Sequence, residues 1–251
     1  MRLSLILPCF NEQENIEQTV REAFAWMASA SVDGEVIVVD DGSKDRSPQI
    51  LEGLKKEFSN LRTVRHEKNQ GYGLAIRSGC DAAKMDWIAF VDSDGQFKIS
   101  DLSRLIAACN DCAFVTGRRR PRADPFIRVA YGKVLAVMTW AVLGIWIRDV
   151  NCGMKMFTKE IWPKIRPLYG VEKLFNTEMY LRLRDEGIHY VQVDVPHYHR
   201  RAGSPTGGSL RVIRRMFEEL RDLRRAWSGT VASRRDPERS TAEEEAHLAA
   251  A

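Results

Sequence analysis

The chain is 251 residues long, enough for one sizeable α/β domain with additions. Its 44% hydrophobic content is that of an ordinary globular protein, and a formal net charge of only +4 assigns no partner by itself. Five scattered cysteines, an odd number, argue against a disulfide framework and for a reducing compartment, and no stretch reaches the ~20 apolar residues that span a bilayer.

Leu3 to Leu7 reads as a first strand, stopped at Pro8, and its apolar part is too short for a signal peptide. Asn11 to Ala30 has helical spacing, with Asn11 as the expected N-cap and Glu12 and Glu14 in the first turn. Glu35 to Val39 is a second, β-branched strand that ends at Asp40-Asp41-Gly42-Ser43, and a helix over 45–58 follows it. A third strand is expected at 62–65. A helix over 71–85, entered through a glycine-bearing loop, leads to the fourth strand, Trp87 to Val91. This alternation predicts an α/β fold with a mostly parallel sheet covered by helices on both faces.

The second half begins with a helix over 101–109 and a strand over 113–116. Cys109 and Cys112, at the end of that helix and just beyond it, form a C-x-x-C pair with no second pair at zinc spacing, which reads as structural. An arginine cluster follows (Arg118, Arg119, Arg120, Arg122, Arg128), and a second runs from Arg200 to Arg225; both suit anionic partners. The apolar helix expected over 129–147 carries Trp140 and Trp146 between Lys133 and Arg148 and is suited either to a core or to a membrane interface. A helix over 175–186 and a strand over 190–195 come next. Leu210 to Trp227 forms a C-terminal amphipathic helix with arginines on its polar face, and residues 229–251 are expected to be a disordered polar tail.

The most informative segment is Asp92-Ser93-Asp94-Gly95-Gln96, where the fourth strand emerges with two carboxylates one residue apart. Hard cations such as Mg²⁺ and Mn²⁺ take oxygen ligands and are commonly shared with substrate phosphates. Ligands of parallel sheets bind beyond the carboxyl ends of the strands. Three such ends here carry unusual residues: Pro8-Cys9-Phe10-Asn11-Glu12, Asp40-Asp41-Gly42-Ser43 and Asp92-Ser93-Asp94. Their convergence points to a nucleoside diphosphate with its metal. His197 and His199 flank Tyr198 near Asp194; with no third ligand at a convincing spacing, they are expected to support the site rather than to bind zinc.

In order and spacing these motifs resemble family 2 glycosyltransferases of the GT-A fold, and among them the branch typified by dolichol-phosphate mannosyltransferase and bacterial polyprenyl-phosphate glycosyltransferases. The segments that carry the resemblance are Leu7-Pro8-Cys9-Phe10-Asn11-Glu12, Val38-Val39-Asp40-Asp41-Gly42-Ser43, Asn69-Gln70-Gly71-Tyr72-Gly73, Asp92-Ser93-Asp94-Gly95-Gln96 and Asp149-Val150-Asn151-Cys152-Gly153-Met154-Lys155. The distal Arg200-Arg201-Ala202-Gly203-Ser204-Pro205-Thr206 keeps the branch's arginine and glycine but not its serine–lysine pair.

The resemblance implies a Rossmann-like GT-A domain over 1–228, with a nucleotide-sugar half at 1–97 and an acceptor half at 98–228. It implies Mg²⁺ or Mn²⁺ on Asp92 and Asp94, with Gln96 ligating or orienting. Pro8, Asn11, Glu12, Asp40, Asp41 and Ser93 would contact the donor, and Lys68 and Arg77 would approach its diphosphate; UDP and GDP both remain open. The implied reaction is inverting transfer of a sugar to a polyprenyl phosphate, positioned by Arg118, Arg128 and Arg200. Asp149 would act as a base for a hydroxyl acceptor or orient an arginine. The expected location is cytoplasmic, peripheral on the inner face of the cell membrane. The alternatives are a soluble or protein hydroxyl acceptor, or a non-enzymatic nucleotide-binding module. Nucleic acid is not an expected partner, because the arginine runs lack interleaved surface aromatics.

Overall fold

Alternate residues of the first strands face opposite sides of one sheet, and both sides are apolar. Leu3, Leu5, Leu7, Val36, Val38, Ala89 and Val91 belong to one buried cluster, while Ile6, Ile37, Val39, Ile88 and Phe90 belong to the other. A strand buried on both faces reads as a continuous apolar run, as seen here, and each such Leu, Ile or Val contributes about 1.5–3 kcal/mol by leaving water. The computed structural model describes residues 1–109, 112–121, 126–170, 172, 174–199 and 216–227, without the side chains of 126–132 and 135.

The chain runs β1 (Arg2–Cys9), α1 (Ile16–Ser29), β2 (Asp33–Asp40), α2 (Ser47–Glu57), β3 (Leu61–Arg65), α3 (Tyr72–Ala82), β4 (Trp87–Val91), α4 (Leu102–Ala107), β5 (Phe114–Arg119), α5 (Phe126–Leu143), β6 (Met154–Thr158), α6 (Trp162–Ile165), α7 (Phe175–Asp185) and β7 (Val191–Val195), and a further helix, α8, covers 216–227. The seven strands form one sheet in the order β3-β2-β1-β4-β6-β5-β7. Only β6 runs against its neighbours, β4 and β5. Helices α1, α2 and α4 cover the first cluster, and α3, α6 and α7 the second. The mostly parallel, helix-covered sheet is the expected architecture.

Several boundaries differ for physical reasons. β1 runs through Pro8 to Cys9. Pairing with β4 ends at Ile6 and Phe90, and the Pro8 carbonyl on that side accepts the Ser93 hydroxyl, so the missing proline N–H leaves no ladder bond unmade. The first helix begins at Ile16, not at Asn11, whose φ of 54° places it in the left-handed region. β5 extends three residues beyond the expected Thr116 and takes Arg118 and Arg119 into the sheet. β6 is additional: its Met-Lys-Met-Phe-Thr sequence is interrupted by a charge and so lacks a strand's pattern. The apolar helix occupies Phe126–Leu143, earlier than the expected 129–147. Leu220 and Leu223 of α8 pack with Leu143, Leu174 and Leu181. The expected tail, 229–251, lies outside the described residues, as do residues 210–215 of the expected C-terminal helix.

Two buried glutamates organise the loop before α7. Glu178 accepts the backbone N–H groups of Leu168, Tyr169 and Gly170 at 2.8, 2.9 and 2.6 Å, and Glu219 of α8 accepts those of Glu172 and Leu174 at 2.9 and 3.1 Å. Peptide donors in a covered loop need such acceptors.

Candidate active site

Parallel pairing in the order β2-β1-β4 brings the three expected strand ends side by side. The first two loops are joined by hydrogen bonds. The Asn11 N–H donates to Ser43 Oγ at 2.9 Å, and Asn11 Oδ1 accepts the Lys44 N–H at 2.9 Å. The Glu12 N–H donates to Ser47 Oγ at 3.0 Å, and Gln13 exchanges bonds with Asp45 and Arg46. Asn11 is therefore a cross-loop tie rather than a helix cap. Glu12 Oε2 accepts from Asn15 Nδ2 at 2.7 Å, which fixes it at the entry to α1.

Asp40 and Asp41 are both buried. Asp40 Oδ1 accepts the Ser43 N–H at 2.9 Å, and its Oδ2 lies 3.3 Å from Arg65 Nε. Asp41 holds the loop that leads into α3: its oxygens accept the Gln70 and Gly71 N–H groups at 2.9 and 2.8 Å, and its Oδ1 lies 2.7 Å from His66 Nδ1. His66 Nε2 reaches Ser78 Oγ at 2.9 Å. Gly42, at φ 73°, sits where a Cβ would come within 2.7 Å of the Lys68 backbone, so only glycine lets the two loops approach. Asp41 thus shapes this end of the sheet edge through the 66–71 loop.

Asp92 is half-buried. Burial pushes its carboxyl pKa well up, the Asp94 charge adds to this, and Tyr72, Lys155 and Arg119 oppose it. Asp92 Oδ1 has no hydrogen-bond partner among the described residues, and the buried Tyr72 hydroxyl faces it without a well-formed bond. An orphaned carboxylate oxygen next to a second carboxylate is a donor set for a hard divalent cation. Asp94 accepts the Gln96 N–H at 3.0 Å, and Gln96 is tied to Tyr198 through backbone and side chain at 2.9 and 3.4 Å. The same segment buries His197 against Phe97. No group of three or more His, Cys, Asp or Glu side chains is placed to hold a metal among the described residues, so a cation here would draw its remaining ligands from amide, water or substrate oxygens.

The turn before β6 forms the wall behind Asp92. The Asp92 N–H donates to the Gly153 carbonyl at 3.1 Å, and a Cβ on Gly153 would lie 1.9 Å from Asp92 Oδ2. Gly153→Ala is therefore expected to displace Asp92 and to weaken Mn²⁺ binding in the presence of nucleoside diphosphate by about 10-fold or more, as read by electron paramagnetic resonance. Unchanged Mn²⁺ affinity would place the metal elsewhere.

On β5, side-chain alternation separates neighbouring arginines. Arg118 is paired across the strands with Asp194 of β7. Arg119 faces the other way and grips Asp149: its Nε lies 2.9 and 3.1 Å from the two carboxylate oxygens, its Nη2 bonds Oδ1, and its backbone N–H donates to Oδ2 at 2.8 Å. Asp149, at φ 56°, is held in the left-handed region by these bonds. Arg119 is close enough to Asp92 for its charge to favour the ionised carboxylate. Arg77 does not join this group; it reaches the Pro167 carbonyl and lies among Arg166, Asp81 and Glu178. Arg200 and the side chain of Arg128 lie outside the described residues. Sequence reasoning did not single out Arg119, Tyr72 or Lys155 as site residues, and strand alternation along β5 is the signal that separates Arg119 from Arg118.

The chain is 30% identical over 192 residues to a dolichyl-phosphate beta-glucosyltransferase of Dictyostelium discoideum, covering 68% of this chain and 58% of that protein. It is 25% identical over 221 residues to an undecaprenyl-phosphate 4-deoxy-4-formamido-L-arabinose transferase of Proteus mirabilis, covering 87% and 67%. It thus spans less than two thirds of the Dictyostelium enzyme. Its fold is that of GT-A enzymes. Glucosyl-3-phosphoglycerate synthase from Mycobacterium tuberculosis, solved with Mn²⁺, UDP-glucose and phosphoglyceric acid, superposes with a TM-score of 0.62 at 22% identity over 87% of this chain and 79% of that one. Mannosyl-3-phosphoglycerate synthase from Rubrobacter xylanophilus superposes at 0.65 with 16% identity, over 92% and 75%. Residues 4–166, which carry Asp40, Asp41, Asp92, Asp94, Arg119 and Asp149, match the model of Glycosyl transferase family 2, and the chain belongs to that family.

Proposed function

We propose that the chain transfers a sugar, with inversion, from a nucleoside-diphosphate sugar to a polyprenyl phosphate. The observation that carries the reading is the closure of Asp149 on Arg119. A hydroxyl acceptor needs a base within hydrogen-bond reach. Asp149, expected either to be that base or to orient an arginine, is occupied by a guanidinium. A phosphate monoester is already largely ionised near neutral pH, its second pKa being about 6, and needs positive charge rather than a base. Arg119, oriented by Asp149, supplies that charge on the strand next to β6, near enough to Asp92 for its charge to act there. The names of the Dictyostelium and Proteus relatives, both lipid-phosphate transferases, support the same acceptor class.

In this reading Asp92 and Asp94, with Gln96, would hold Mg²⁺ or Mn²⁺, which would neutralise the departing diphosphate. The bond from the sugar anomeric carbon to the diphosphate oxygen breaks as the acceptor phosphate oxygen bonds that carbon, and nucleoside diphosphate leaves. The loops that carry Pro8, Asn11, Glu12, Asp40, Asp41 and Ser93 form the nucleotide side. The test is release of nucleoside diphosphate from a panel of UDP- and GDP-sugars with Mg²⁺ and undecaprenyl phosphate. Lipid-linked sugar supports the reading; release only with hydroxyl acceptors, or nucleotide binding without any transfer, rejects it.

A peripheral seat on an anionic membrane, at its cytoplasmic face, belongs to the same proposal. One face of α5 exposes Val134, Val137 and Trp140 at helical spacing, with Trp146 beyond it; each is more than half exposed, and Lys133 and Arg148 stand at the ends. No helix among the described residues is long and apolar enough to cross a membrane. Trp140→Glu with Trp146→Glu is expected to cut binding to vesicles of phosphatidylglycerol and phosphatidylethanolamine by about 10-fold or more while leaving Tm unchanged, since both side chains are outside the core. Undiminished vesicle binding would remove α5 from the interface.

A further inference from the structure

Lys155 has no part in the reading above, yet it is the most enclosed cation in the described chain, with 0% exposure. Burial pushes its pKa down to about 8, against the pull of Cys152, Asp149 and Asp92. An ammonium at this depth needs its donors taken up and its charge matched. Its Nζ donates to the Cys152 carbonyl at 2.6 Å and the Val150 carbonyl at 3.3 Å, and it lies 5.4 Å from the Phe90 ring centre and 5.8 Å from that of Tyr180.

Those two carbonyls belong to the turn over 149–153, which touches both halves of the site. At its start Asp149 grips Arg119. At its end Gly153 accepts the Asp92 N–H and leaves room for the Asp92 carboxylate against its Cα. Between them, Cys152 Sγ lies where a Cβ on Gly117, two residues before Arg119, would come within 2.9 Å. Peptide carbonyls drawn into an apolar interior require a donor there, and Lys155 provides it for two of the turn's five residues.

We propose that Lys155 is a positioning residue: by holding the Val150 and Cys152 carbonyls inward it fixes the turn that sets Asp92 and Arg119 relative to each other, and so aligns the donor diphosphate with the acceptor phosphate. This rests on the proposed function. Groups behind metal ligands commonly alter affinity or activity by 10–100-fold, and small misplacements of reacting groups lower turnover by about 10²-fold.

Lys155→Met keeps the side-chain length and removes the ammonium. Its donor KM is expected to stay within about threefold of the wild-type value while kcat falls about 10²-fold, and Mn²⁺ affinity with UDP or GDP present, read by electron paramagnetic resonance, is expected to weaken roughly tenfold. Lys155→Arg restores both donor and charge and is expected to recover most of the lost kcat. If Lys155→Met does not fold, Lys155→Gln, which loses the charge and shortens the reach, is measured in the same way. Wild-type kcat and Mn²⁺ affinity in the uncharged variant overturn the inference, as does an arginine variant no better than it. If the wild-type protein itself transfers no sugar, the functional reading fails. The Mn²⁺ titration then decides the matter for Lys155: equal affinities overturn its role and a weakened variant supports it.

Discussion

Asp92→Asn is expected to abolish metal-dependent nucleoside diphosphate binding and to lower turnover about 10³-fold, the scale on which removal of one electrostatic stabiliser of a developing charge is felt. An amide is nearly isosteric with the carboxylate and carries no charge into a half-buried place where one shielded oxygen has no hydrogen-bond partner among the described residues. The fold should therefore tolerate it: Tm is expected to match or exceed that of the metal-free wild type, because no buried charge has to be accommodated. The measurement is thermal shift with Mn²⁺, with nucleoside diphosphate, and with both. Wild-type protein should gain Tm only with both together, and Asp92→Asn should gain none. Equal stabilisation of the two proteins would show that nucleotide binding does not run through Asp92. Since k scales with the transition-state free energy at about 1.36 kcal/mol per tenfold, the predicted loss corresponds to about 4 kcal/mol of leaving-group stabilisation.

The first half of the chain was legible because its pattern is local. Short β-branched runs alternate with helices, and polar residues stand where strands end, so β1, β2 and β4 and their converging loops follow from the order of residues alone. Roles that depend on tertiary partners were not legible. Asn11 has the composition of a helix cap, but its left-handed backbone is set by Ser43 and Lys44, more than thirty residues away. β6 was hidden because its second residue is a lysine, and a lysine argues against a buried strand unless backbone carbonyls, here those of Val150 and Cys152, receive it. The arginine run showed cationic character but not direction. Only the extension of β5 through Gly117 puts Arg118 on the Asp194 side and Arg119 on the Asp149 side. Asp149 itself was singled out with two roles left open, a base or an arginine-orienting group, and the structure places it against Arg119.

Asp149→Asn is expected to act on stability as well as on rate, and the combination distinguishes those two roles. Asp149 and Arg119 are nearly enclosed, with side-chain exposures of 8% and 13%. Removing one partner of such a pair strands the other charge and costs about 3–5 kcal/mol. For a chain of this size each kcal/mol moves Tm by about 2–4 °C, so a fall of about 10 °C is expected. A base acting on a hydroxyl acceptor would behave differently: its amide variant would keep Tm and lose only kcat. Arg119→Lys should fall between, since an ammonium keeps the charge but cannot fork onto both oxygens; its acceptor KM should rise more than its donor KM. The double variant Asp149→Leu with Arg119→Met separates the two contributions further. Apolar replacements of a buried ion pair are often neutral for stability, so Tm should return toward the wild-type value while transfer to undecaprenyl phosphate stays lost. Recovery of transfer in that double variant would mean that the pair serves the fold alone and that the acceptor phosphate is held elsewhere.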